Sequence, residues 1–108
     1  MVAKYAAESH NLLHDYQAAE REARTGLAVE AWSPGDADII RIELGIALAG
    51  QGAVDEAVEH GKEALARPRH LVSVLARARQ LDGVLMKRYA NTPCAREFHA
   101  EYEQLCSR

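Results

Sequence analysis

Between Ser33 and Leu65 the chain reads as two helices folded back on a glycine turn, and this hairpin constrains the rest of the fold. Ser33, with Asp36 three residues on and Pro34 in the first turn, has the makings of a helix start. From Ile39 to Ala49 only Arg41 and Glu43 carry charge, so most of this helix has to be covered by neighbours. Gly50, Gln51 and Gly52 stop it, because glycine costs least where a helix ends and turns. Asp55 and Glu56 place negative charge at the positive end of a second helix. That helix puts Val54, Ala57, Val58, Gly61, Ala64 and Leu65 on one face, at spacings of three and four.

The hairpin contains Leu44-Gly45-x2-Leu48, then Ala57-x3-Gly61, then Ala64-Leu65. Gly45 and Ala57 let two backbones approach, while Leu44, Leu48 and Leu65 fill the seam. This pattern resembles the tetratricopeptide repeat, whose signature is L-G-x2-Y followed by A-x3-F. Gly61 departs from it, since the repeat prefers a large residue there. Leu81-Asp82-x2-Leu85 and Cys94-x3-Phe98 fall 37 residues after the central pattern, and Ala6 and Ala19 fall 38 before it. The resemblance implies an all-α fold, a tetratricopeptide-like stack of about three antiparallel helical hairpins forming a short α-solenoid.

In chain order, the hairpins are expected at about 1–29, 34–67 and 71–106 of a single domain. Residues 2–13 form a modest helix whose larger apolar side chains are Tyr5, Leu12 and Leu13. Asp15 is placed to cap a helix over 16–29 with a narrow stripe of Ala18, Ala19, Ala23, Leu27 and Ala28. Trp32 is expected as a plug between the first two hairpins, and Pro68 closes the second. Leu71, Val74, Leu75, Ala78, Leu81, Val84 and Leu85 share one face of a long helix over about 71–89. Thr92-Pro93 then starts a last helix that buries Phe98, Tyr102 and Leu105. Aromatics are only 6% of the chain, and no alternating β-branched run is present.

The phrases WSPGDADIIRIELGIALAGQG, ALARPRHLVSVLARARQLDGVLMKRY and AREFHAEY look like the C-terminal part of a family of bacterial helix-turn-helix transcriptional regulators. In that family a DNA-binding domain precedes tetratricopeptide-like repeats. The likeness covers about residues 15–105, and no helix-turn-helix segment lies within it. The resemblance implies a non-enzymatic sensor and interaction module, the regulatory domain of a transcriptional regulator. The alternative is a stand-alone protein-interaction scaffold unrelated to DNA.

Charge and chemistry narrow the function classes. Residues 1–61 hold four Lys/Arg against eleven Asp/Glu, whereas residues 62–88 hold seven against two. The formal net charge of −3 argues against direct DNA binding by this segment. Cys94 and Cys106 form no metal-ligand pattern and read as reduced thiols of a cytoplasmic protein. The start MVAKYAAESHNLL lacks a signal-peptide pattern, and no apolar run approaches membrane-spanning length. His10 and His14 are four apart, but no third metal ligand is evident beyond Asp15. His60, His70 and His99 stand alone. No catalytic residues, metal or cofactor are implied.

Repeats of this kind usually bind through the first helix of each hairpin. In the repeat register these helices present Lys4, Glu8 and Asn11, then Ile39, Ile42, Ile46 and Ala49, then Arg79, Gly83, Met86 and Lys87. An apolar centre with opposite charges on its flanks suits an amphipathic peptide, a protein partner or a second copy of the chain. The competing reading is that the three isoleucines pack within the monomer.

Overall fold

The computed structural model describes residues 3–29, 33–66 and 72–107, and they hold six α-helices and no strand. The helices are α1 (Ala3–Leu12), α2 (Tyr16–Leu27), α3 (Pro34–Gly50), α4 (Val54–Leu65), α5 (Val72–Tyr89) and α6 (Pro93–Cys106). Trp32, Pro68, His70 and Leu71 lie outside the described residues. Turns at 13–15, 51–53 and 90–92 join the helices in pairs. Each first helix of a later pair rests on both helices of the pair before it: α3 on α1 and α2, α5 on α3 and α4.

The helix starts follow local chemistry. Asp15 accepts from the Ala18 backbone N–H at 3.3 Å, and Ser33 Oγ accepts from Asp36 N–H at 3.2 Å. Each thus satisfies one of the amide donors a helix leaves orphaned at its start. Thr92 stands at the cap of α6 but makes no side-chain capping bond. The turn after α1 places His14 in the left-handed region, at φ 60°, with its ring stacked 5.7 Å from that of Tyr16.

Helix α3 is the hub. Asp38, Ile40 and every residue from Ile42 to Ala49 are buried, which explains why its sequence is apolar around the whole circumference. The core combines Ile40, Ile42, Leu44 and Ile46 with Val74, Leu81, Leu85 and Phe98. Tyr5, Leu12 and Leu13 of the first pair instead remain exposed. Carbonyls in the last turn of α3 also accept from α5: Tyr89 Oη donates to Ala49 O at 2.8 Å and Arg88 Nη1 to Gly50 O at 3.2 Å.

The glycines divide the work differently from the expectation. A Cβ on Gly45 would stand 3.1 Å from the Ala57 carbonyl oxygen, so the small residues do permit α3 and α4 to approach. The turn after α3 needs Gly52, at φ +91°, because that backbone angle strains any side chain. Gly50 still lies within α3, and a Cβ there would meet the Tyr16 ring at 2.5 Å. Its helix-ending role passes to its neighbours, and it serves as the seat of an aromatic ring. At Gly61 a Cβ would meet Phe98 Cε1 at 2.7 Å. The large residue missing from α4 is therefore supplied by α6.

Candidate cleft between α1 and α5

Helices α1 and α5 both pack on α3, yet they make no backbone-level contact with each other. The result is a cleft floored by α3. Its larger cavity, about 380 Å³, is lined by Lys4, Tyr5, Glu8, Ile39, Ser73, Ala76 and Arg77. A smaller one of about 140 Å³ continues past Arg77 among Asn11, Leu12, His14, Tyr16, Ile46, Gln80 and Val84. Tyr5, Leu12, Ile39 and Val84 give these walls an apolar character.

A polar network crosses the cleft at its middle. Glu43 has no exposed surface, so the fold must supply donors for its carboxylate oxygens. Arg77 grips it with two nitrogens: Nε contacts Oε2, and Nη2 donates to Oε1 at 3.0 Å. Asn11 Nδ2 donates to Glu43 Oε1 at 2.9 Å and to the Glu43 backbone oxygen at 3.0 Å. The third Arg77 nitrogen, Nη1, stands 3.6 Å from Glu8. At the rim Lys4 Nζ donates to Asp36 at 2.6 Å; this bond raises the lysine pKa and, with Ser33, lowers that of Asp36.

The residues expected to bind a partner separate into four groups. Lys4, Glu8, Asn11, Ile39 and Ile46 line the cleft. Ile42 and Ala49 are wholly buried and present nothing to it. Met86 is half-buried and packed against the core. Arg79 and Lys87 are exposed, and Arg79 lies close enough to Tyr102 of α6 to affect its titration. Sequence reasoning missed Glu43 and Arg77. The available signal was Glu43 itself: one carboxylate inside an apolar helix has to be paired. Arg77 sits 34 residues later in the chain.

A second titratable cluster joins α5 to α6. His99 Nδ1 lies 3.0 and 2.9 Å from the two oxygens of the buried Asp82, and its Nε2 lies 3.2 Å from Glu103. The Asp82 bond raises the His99 pKa, with Asp82 and Glu103 charges adding to it and burial opposing. With a carboxylate on each ring nitrogen, the favoured imidazolium has no lone pair left to take a proton. Beside it, burial first and then a Cys106 contact push the Tyr102 pKa up to about 12. Burial also raises the Cys94 pKa, assisted by its bond to Asp55 at 3.2 Å, which favours the thiol over the thiolate. No three metal-ligating side chains come together among the described residues, and no described helix is long and apolar enough to cross a membrane.

No family model, curated protein or solved structure matches the chain.

Proposed function

We propose that this chain is a tetratricopeptide-like interaction module of three stacked helical hairpins that binds an amphipathic peptide or protein segment in the α1–α5 cleft. The cleft carries the reading: two first helices held apart by a third leave a walled channel with apolar surface and a fixed polar centre. The reading of stacked hairpins is supported by side-chain links from each helical pair to the next: Lys4–Asp36, Asn11–Glu43 and Arg24–Glu56 join the first to the second, and Arg77–Glu43, Tyr89–Ala49 and Cys94–Asp55 the second to the third, at separations of 32 to 40 residues.

In the regulator reading, partner binding in the cleft would be passed to a helix-turn-helix domain. The family resemblance favours this over a scaffold unrelated to DNA, and the encoding locus separates the two. An in-frame helix-turn-helix pattern upstream supports the regulator; a reading frame without one leaves the scaffold.

Peptides selected from a displayed library against the full chain test the cleft. Ile39→Asp should abolish their binding while leaving helical circular dichroism unchanged, because Ile39 lines the cavity and is only half-buried. Ile42→Asp should instead unfold the protein, since Ile42 has no exposed surface. Peptide affinity unchanged by Ile39→Asp would place the partner site elsewhere.

A further inference from the structure

The chemistry of the partner is written in the unused valences of the cleft. Both hydrogen bonds from the Asn11 side chain leave through its nitrogen, and both end on oxygens of Glu43. An oxygen in that place would face two acceptors, so the orientation of the amide is fixed. Its Oδ1 is consequently turned away from Glu43, is buried, and has no donor among the described residues. Asn11 as a whole is only 6% exposed, and it lines the smaller cavity. Buried carbonyl oxygens are rarely left without a donor, so this one is an acceptor awaiting its partner.

Three residues before Asn11 on the same helix face, Glu8 lines the larger cavity. Its side chain is 37% exposed, and its carboxylate stands 3.6 Å from Arg77 Nη1, beyond hydrogen-bond reach. The other two Arg77 nitrogens, Nε and Nη2, are held by Glu43. The one lysine and the one arginine lining the cleft are both engaged, Lys4 by Asp36 and Arg77 by Glu43. Set against Asp36, Glu8 and Glu43, those two leave the site one negative charge in excess. Two acceptors on one face, a surplus of negative charge and apolar walls on either side describe a receptor for a cation on an apolar stem.

We propose that the cleft selects a partner segment carrying a lysine or arginine between apolar residues. The cation pairs with the part-exposed Glu8, and a small shift of the cleft wall opens the buried Asn11 Oδ1 to it, directly or through one water. Its apolar neighbours lie against Tyr5 and Ile39 on one side and Leu12 and Val84 on the other. A partner presenting a carboxylate at this point would meet Glu8 with no unengaged cation to receive it. The proposal rests on the cleft being the partner site and adds the chemistry of what enters.

Small probes isolate that chemistry. The isotope-labelled full chain is titrated with n-butylguanidinium, n-butylammonium, n-butanol and butyrate at equal ionic strength, and binding is mapped by nuclear magnetic resonance. Expected are saturable shifts of the Asn11 side-chain amide, the Arg77 Nε–H and the Glu8 backbone for the two cations. Their affinity should be at least about ten-fold above that of butanol, with no response to butyrate. Glu8→Gln, which changes a part-exposed group and spares the Glu43 network, should lower cation affinity by a similar factor. Equal binding of butanol, binding of butyrate, cation shifts elsewhere only, or an unaffected Glu8→Gln variant would each overturn the proposal. The peptide test with Ile39→Asp stands apart. If that substitution abolishes binding of peptides that lack a central lysine or arginine, the cleft remains the partner site and only the cation preference falls.

Discussion

Gly61 and Gly83 are both helical glycines, and their surroundings give opposite expectations. A Cβ at Gly83 meets nothing within 4 Å, so alanine there gains helix propensity at no steric cost. Gly83→Ala should stabilise the protein by about 0.5–1 kcal/mol. At Gly61 the same change brings a Cβ to 2.7 Å from Phe98 and 2.8 Å from Leu81, both fully buried. Overpacking of about 1–3 kcal/mol then exceeds a propensity gain of about 1 kcal/mol. Urea melts of the two variants should therefore move in opposite directions from the wild type. Equal shifts would show that Phe98 does not seat on Gly61.

At the level of elements, α3 is held to α5 by a buried charge pair as well as by apolar contact. Arg77→Met leaves the Glu43 carboxylate buried without its cation, at a cost of about 3–5 kcal/mol. Adding Glu43→Met removes the stranded charge, so the double variant should be more stable than the Arg77→Met single, as read by denaturant unfolding. An additive double variant would mean that the pair is not coupled. The α5–α6 contact carries a pH dependence of known sign. Pairing with Asp82 raises the His99 pKa above its ordinary value of 6.5. The protonated form stabilises the fold fully below that unfolded value, and this contribution is lost as pH rises through the folded one. The stability difference between wild type and His99→Gln should accordingly be larger near about pH 6 than near about pH 9. A difference that grows with pH would contradict the pairing.

Over the whole molecule the radius of gyration is 12.6 Å, close to the roughly 13 Å expected of a compact domain this long. The extents of 34 × 29 × 18 Å describe a slab two helices thick rather than an elongated superhelix. Its charges are unevenly spread, but two cations of the basic segment 62–88 are paired with acidic neighbours, Lys62 with Glu97 and Arg77 with Glu43. With a formal net charge of −3, the chain alone should bind duplex DNA no more tightly than about 100 μM at physiological salt. A gel shift or anisotropy titration giving low-micromolar, salt-sensitive binding would contradict this.

The amino-acid sequence by itself determined the helices, because their starts, stops and faces are local matters. Asp15, Ser33 and Pro93 mark starts that the structure keeps, and spacings of three and four around Val74, Ala78, Leu81 and Leu85 name the buried face of α5. The cleft was legible only in part. Lys4, Glu8, Asn11, Ile39 and Ile46 are on it, but Ile42 is buried beside them, because a helix face is wider than a cleft and only packing decides which residues it covers. The partner of Glu43 and the seat of Phe98 on Gly61 were likewise decided by tertiary structure. Both depend on how α5 and α6 close over α3 and α4, and a pairing across more than thirty residues leaves no mark in the local pattern of either partner.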